Sequence, residues 1–241
     1  MKTLPAIVLL FVSLTAVAQG VPKGDCATPE PRHDLSGCDF SGRDLSGRDF
    51  SGAVLENARF KDTQLKGTRF DKAMAKWANF TGAQLQGANF AGTNLFHATF
   101  DRADLSDANL QGANLFGAIL IDTRAPRADL SGAFMKDTHM PGADLRGASL
   151  RKIYGLRFIL DGSRLNGADL SDADLTGANL EAVDFSAAKM RKTRLSGAVL
   201  PEAVFHDADL TDADFSNADL TDSDFSGARN MPTQLQKQLG K

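Results

Sequence analysis

The side chains of this chain that could do chemistry are two cysteines, four histidines and thirty carboxylates, and their spacing limits what they can do. Cys26 and Cys38 stand close together near the N-terminus. A bridge between them closes a short loop and is worth about 3 kcal/mol through the restricted unfolded chain. The other reading makes Cys38 a small buried filler in a slot that Ala usually holds. His33, His97, His139 and His206 fall on different positions of a repeat, so no metal cluster is evident. The sequence has no G-x-S-x-G elbow, phosphate loop or dinucleotide fingerprint. Its carboxylates recur with a fixed period, so close acidic pairs are a by-product of that period rather than an acid–base couple. These residues point to no enzyme, no cofactor and no metal.

Two places offer residues suited to recognition. Trp77, the only tryptophan, sits where the chain turns and should be largely exposed. It either packs against its neighbours or anchors a partner. The second place is Arg151 to Leu160, where Gly155 replaces a large residue while Ile153 and Phe158 replace small ones. One reading is a volume swap in which Ile153 fills the space left by Gly155. The other is a bulged face presenting Arg151, Lys152, Tyr154 and Arg157 to a partner.

What must position these residues is a period of five. From Leu35 to Phe225, 36 of the 39 residues whose number is a multiple of five are Leu, Phe or Met, the exceptions being Ala75, Ala125 and Gly155. Five is neither the 3.6 of a helix nor the 2 of a long strand. The residue two before each such centre is mostly Ala, and residues two apart in an extended segment face one way. Centre and small residue thus point inward, and the residue between them, usually Asp or Asn, points out. The remaining two residues turn the chain. Of 22 glycines, 18 lie two after a centre, where a type II turn needs positive φ. Pro126, Pro141 and Pro201 lie one after a centre, where a turn favours their fixed φ.

The side count follows from the phenylalanines. Coils of 20 residues place Phe40, Phe60, Phe80 and Phe100 in one column and Phe50, Phe70 and Phe90 in the opposite one, whereas coils of 15 would stack Leu on Phe. Like on like favours the four-sided coil. The array would then make nearly ten coils and a rod roughly 45 Å long at about 4.8 Å per layer.

These A(D/N)LXX units resemble those of pentapeptide-repeat proteins over about residues 33–228. The resemblance implies an all-β fold, a right-handed quadrilateral β-helix with four pentapeptides per coil. Some members look like DNA and protect DNA gyrase by occupying its DNA-binding saddle. The carboxylates between Gly197 and Gly227, eight with no Lys or Arg among them, would suit such mimicry as an alternative function. Abundant Arg and Lys over residues 122–194 and an export signal oppose it.

That signal is read from Lys2, the apolar run Pro5 to Val12 and the small-x-small site Ala16-Val17-Ala18. The apolar run is short of the roughly 20 residues that span a bilayer, and no Cys follows the site to carry a lipid. Cleavage after Ala18 and a periplasmic or secreted location are expected. Residues 19–32, with Pro22, Pro29 and Pro31, read as a lead-in cap. Residues 229–241 read as a C-terminal cap in which Met231, Leu235 and Leu239 form a short amphipathic helix. With 30 acidic and 27 basic residues the chain has no bias toward binding nucleic acid directly. The expected function is that of an exported, non-enzymatic scaffold, monomeric or weakly dimeric, whose partner is another protein.

Overall fold

The computed structural model describes residues 20–240. The leader expected over residues 1–18 and its cleavage after Ala18 lie outside the described residues. From Asp34 to Arg229 the backbone is a β-solenoid in which each outward residue makes a parallel bridge with the residue twenty positions on, from Asp34↔Val54 to Asp209↔Arg229. Residues twenty apart therefore stack in columns. The bridges stay isolated because the chain turns after every third extended residue, so the described residues contain no sheet of ordinary strands.

Each unit satisfies its backbone through the neighbouring layers. The centre donates upward, as from Phe40 N to Arg59 O at 2.7 Å, and the outward residue donates downward, as from Arg59 N to Cys38 O at 2.8 Å. A bond across the turn, such as Cys38 N to Leu35 O at 3.1 Å, closes each corner. The second turn residue takes positive φ, 70° at Gly37, and the same slot forces 55° on Trp77. Outward Asp residues stabilise the corner that follows: the Asp34 carboxylate accepts from Ser36 N at 3.0 Å, and Asp214 accepts from Ser216 N at 2.9 Å. The periodic carboxylates are turn-formers.

Inside, the phenylalanine columns are realised. Phe60 and Phe80 stack at 4.8 Å, and Phe80 and Phe100 at 4.7 Å. The column of Phe50, Phe70 and Phe90 meets them edge-on at about 5.6 Å across the core. Where Thr replaces the small inward residue, its hydroxyl is buried but donates to a backbone carbonyl, as from Thr93 to Phe70 O at 2.6 Å. At Gly155 a β-carbon would lie 3.0 Å from the Leu175 side chain and 3.3 Å from the Phe158 ring. The nearest filler of the vacated centre is thus Phe158 together with Leu175, while Ile153 is buried in the same layer.

Both ends are covered. Lys23 bridges Asp34, and Gly24 lies so close over Leu35 that any side chain there would collide with it. At the far end the helix α1 runs Thr233–Gln238, shorter than the spacing of apolar residues suggests, because Pro232 cannot continue a helix upstream and serves only as its N-cap. Leu235 is buried, and Met231 and Leu239 flank the helix and pack on the last coils.

Candidate interaction surface

Inward positions are filled from Leu35 to Phe225, so a site has to be built on the outside. Along one column and the corner beside it, aromatic rings gather on the outside. Trp77 lies against Phe96 edge-to-face at 5.7 Å. Phe96 stacks on Phe116 at 5.4 Å, Phe116 on Phe134 at 6.1 Å, and Phe134 on Tyr154 at 5.1 Å. His97 inserts its ring beside both Phe96, at 4.3 Å, and Phe116, at 5.9 Å. The result is an unbroken external ladder of aromatic side chains, about 19 Å long for four layer spacings. Its ends are the most open: Trp77 is 48% exposed and Tyr154 38%.

The backbone explains why the ladder is possible. Phe134 and Tyr154 occupy the outward position before a centre and bridge each other directly. Phe96 and Phe116 occupy the first turn position of the same column. Trp77, His97 and Arg157 occupy the second turn position with φ of 55°, 53° and 55°, conformations that cost a residue with a β-carbon about 1 kcal/mol or more. Large side chains thus stand where glycine is the local preference.

Charged groups line the ladder. Arg157 makes a two-pronged contact with Asp137 at 2.7 and 2.8 Å; this pairing lowers the Asp137 pKa and raises that of Arg157. Arg194 is hydrogen-bonded to Asp174, and Lys76 reaches Glu56 at 3.4 Å. Lys136 lies over the Phe116 ring at 5.8 Å. Beside Phe134 and Tyr154 runs a groove of about 670 Å³, bounded by Gly112, Gly132, Ile153, Lys152 and Arg194. Arg151 turns toward Asp169 at 3.1 Å on the neighbouring column.

Trp77 and Tyr154, two separate irregularities in the chain, therefore belong to one surface, with Lys152 and Arg157 on its borders and Arg151 just outside. The sequence reading missed Phe96, Phe116 and Phe134, which join them. Their signal is that they are phenylalanines off the multiples of five, in pairs with their neighbours twenty residues away. Cys26 and Cys38 are disulfide-bonded, with Cα atoms 5.5 Å apart. The Arg43 guanidinium donates to the carbonyls of Cys26 and Ala27 at 2.6 and 3.0 Å, fastening that loop to the first coils. His33 contacts Pro31 O, His206 contacts Asp224, and no group of three His, Cys, Asp or Glu among the described residues is placed to hold a metal ion. On another column Asp161 and Asn179 each leave a buried Oδ1 without a partner; burial, then Glu181, raises the Asp161 pKa.

A family model described as a pentapeptide repeat region matches residues 33–110, and one for pentapeptide repeats matches 108–151, 160–191 and 188–227. The chain belongs to the pentapeptide-repeat family. The family match breaks off only between 151 and 160 inside the array, the segment that carries Tyr154, Gly155 and Arg157. Among solved structures the chain is similar to HetL, a pentapeptide-repeat protein involved in heterocyst differentiation regulation from Nostoc sp. strain PCC 7120. The identity is 28% over 81% of this chain and 88% of HetL, with a TM-score of 0.43. Full-length QnrB1, a plasmid-mediated fluoroquinolone resistance protein, is 22% identical over 84% of this chain and all of its own, with a TM-score of 0.35. A pentapeptide-repeat protein from the Arabidopsis thaliana thylakoid lumen is 32% identical over 50% of this chain and 66% of its own, with a TM-score of 0.23. A comparison with curated proteins returned no match.

Proposed function

We propose that this pentapeptide-repeat protein is an exported, non-catalytic rod that serves as a protein-interaction or structural scaffold in the periplasm or outside the cell. We infer that its solenoid is a right-handed quadrilateral β-helix of nearly ten coils, a reading supported by bridges twenty residues apart with a corner every five. The observation that carries the functional reading is the aromatic ladder from Trp77 to Tyr154, built outside a filled core in outward and turn positions that the array otherwise gives mostly to small or polar residues. Exposed Trp, Tyr and Arg in one strip are what interfaces between proteins concentrate. A stiff repeat rod holds such a strip straight at no further ordering cost.

Cell fractionation together with cross-linking in the native host tests both halves. The expected result is a protein found outside the cytosol with its leader removed, whose cross-linked partner is lost when Trp77 and Tyr154 are both replaced by Ala. Full-length protein in the cytosol removes the export half. A partner retained by the double variant removes the assigned surface.

A further inference from the structure

The ladder's chemistry narrows what it can hold, and the following rests on the scaffold reading above. Between Phe96, Phe116, Phe134 and Tyr154 the rings are stacked within 11° of parallel, so each covers its neighbour's face and only edges look outward. A sugar ring or a nucleobase needs an open aromatic face to stack on and, Trp77 apart, finds little in this stack. Ring edges offer apolar contact with a partial positive charge instead.

The charges around the strip do not cancel. Asp137 is held by Arg157, Asp174 by Arg194 and Glu56 by Lys76, and Asp172, which lines the groove, lies 3.9 Å from Arg151. Lys72 and Lys152 make no ion pair among the described residues, and Lys136, which lies over the Phe116 ring, acts on Asp137 only through its charge, since Arg157 already holds that carboxylate. Lys72 and Lys152 stand in one column, at the two ends of the strip and four layers apart, about 19 Å. Lys136 lies on the other border. What remains uncompensated is therefore positive, and it brackets an apolar line.

We propose that this strip is the docking surface for an extended acidic segment of another protein, with apolar side chains against the ring edges and carboxylates at Lys72, Lys136 and Lys152. At about 3.3 Å per residue, 19 Å corresponds to carboxylates six residues apart on one side of an extended chain. The groove beside Phe134 and Tyr154 gives such a segment room to lie along the rod. A second copy of this chain fits poorly. A two-fold contact centred on Phe116, the middle of the strip, sets Lys72 of one copy against Lys152 of the other, like against like. An anionic bilayer fits poorly as well, because the same column carries Asp214 beyond the strip, and a flat surface would press on it.

Trp77 is the only tryptophan in the chain, so the mature protein reports on this surface through its own fluorescence. The probe is the peptide acetyl-Asp-Ser-Leu-Ser-Leu-Ser-Asp-amide, which places both Asp and both Leu on one side when extended. Its control carries Lys for both Asp. The acidic peptide is expected to shift Trp77 emission to the blue saturably, to bind at least about ten-fold more tightly than the control, and to weaken as salt screens the charges. In the Lys72→Glu/Lys136→Glu/Lys152→Glu variant, which alters two exposed lysines and the half-buried Lys136 and leaves the core untouched, the preference is expected to reverse. An equal response to both peptides, no response up to millimolar peptide, or stronger binding to phosphatidylglycerol vesicles or to oligo-thymidine overturns the proposal. If the cross-linked partner still depends on Trp77 and Tyr154 while the peptides show no charge preference, the scaffold reading stands and only this assignment of its partner falls.

Discussion

The layer around Gly155 lends itself to a double-mutant test, because the structure says which side chain took over the missing centre. Phe158 is fully buried, and its ring lies 3.3 Å from where a Gly155 β-carbon would sit. Phe158→Ala empties that volume and should cost about 3–5 kcal/mol. Gly155→Leu restores the usual centre but drives it into the Phe158 ring, the Leu175 side chain at 3.0 Å and the Asp174 carbonyl at 3.3 Å, a cost of about 1–3 kcal/mol. Combining them puts an apolar centre and a small inward residue back in the slots the rest of the array uses. The double variant should lose less than about 2 kcal/mol, against about 4–8 if the two costs added, so the coupling is at least about 2 kcal/mol. Urea unfolding followed by far-UV circular dichroism measures it. At an m-value of about 2 kcal/mol/M, Phe158→Ala alone moves the midpoint by about 2 M. Additive losses would refute the volume exchange.

Three further outcomes follow from other parts of the rod. Mass spectrometry of the mature protein should find Cys26 and Cys38 linked, and Cys38→Ala should lower stability by about 3 kcal/mol in thermal unfolding; two free thiols in the mature protein would overturn this. Acid should destabilise the rod. Bonds from Ser41 and then Arg59 lower Asp39 to about 2, and Asp34, Asp44 and Asp219 are lowered in the same way by Ser36, Ser46 and Thr221. Groups lowered on folding contribute stability that is complete above the unfolded value of about 3.9 and is lost as pH falls through the folded one. The unfolding midpoint should therefore drop between about pH 4 and pH 2, and a flat profile there would contradict the bonded carboxylates. Asp161 has the opposite sign: burial raises its pKa, so its ionised form works against folding at neutral pH. Asp161→Asn should raise the thermal midpoint at pH 7 and change it little at pH 3.

The sequence alone determined the period, the inward and outward assignment of every residue in the array, the corner positions and the four-unit spacing of the phenylalanine columns. It could do so because each rests on local stereochemistry repeated some forty times: alternation in an extended segment, positive φ at a turn, like stacked on like. The helix at the C-terminus was legible only approximately, since Pro232 rather than the spacing of Met231, Leu235 and Leu239 decides where it starts. The exchange at Gly155 was legible as a volume problem. Which neighbour fills the gap depends on rotamers, and these placed Phe158 and Leu175 nearest, ahead of Ile153. The aromatic strip belonged wholly to the tertiary structure. Trp77 and Tyr154 are 77 residues apart in the chain and read there as two unrelated exceptions. They become ends of one ladder because winding brings residues twenty apart to within one hydrogen-bonded layer, so that Phe96, Phe116 and Phe134 close the distance between them.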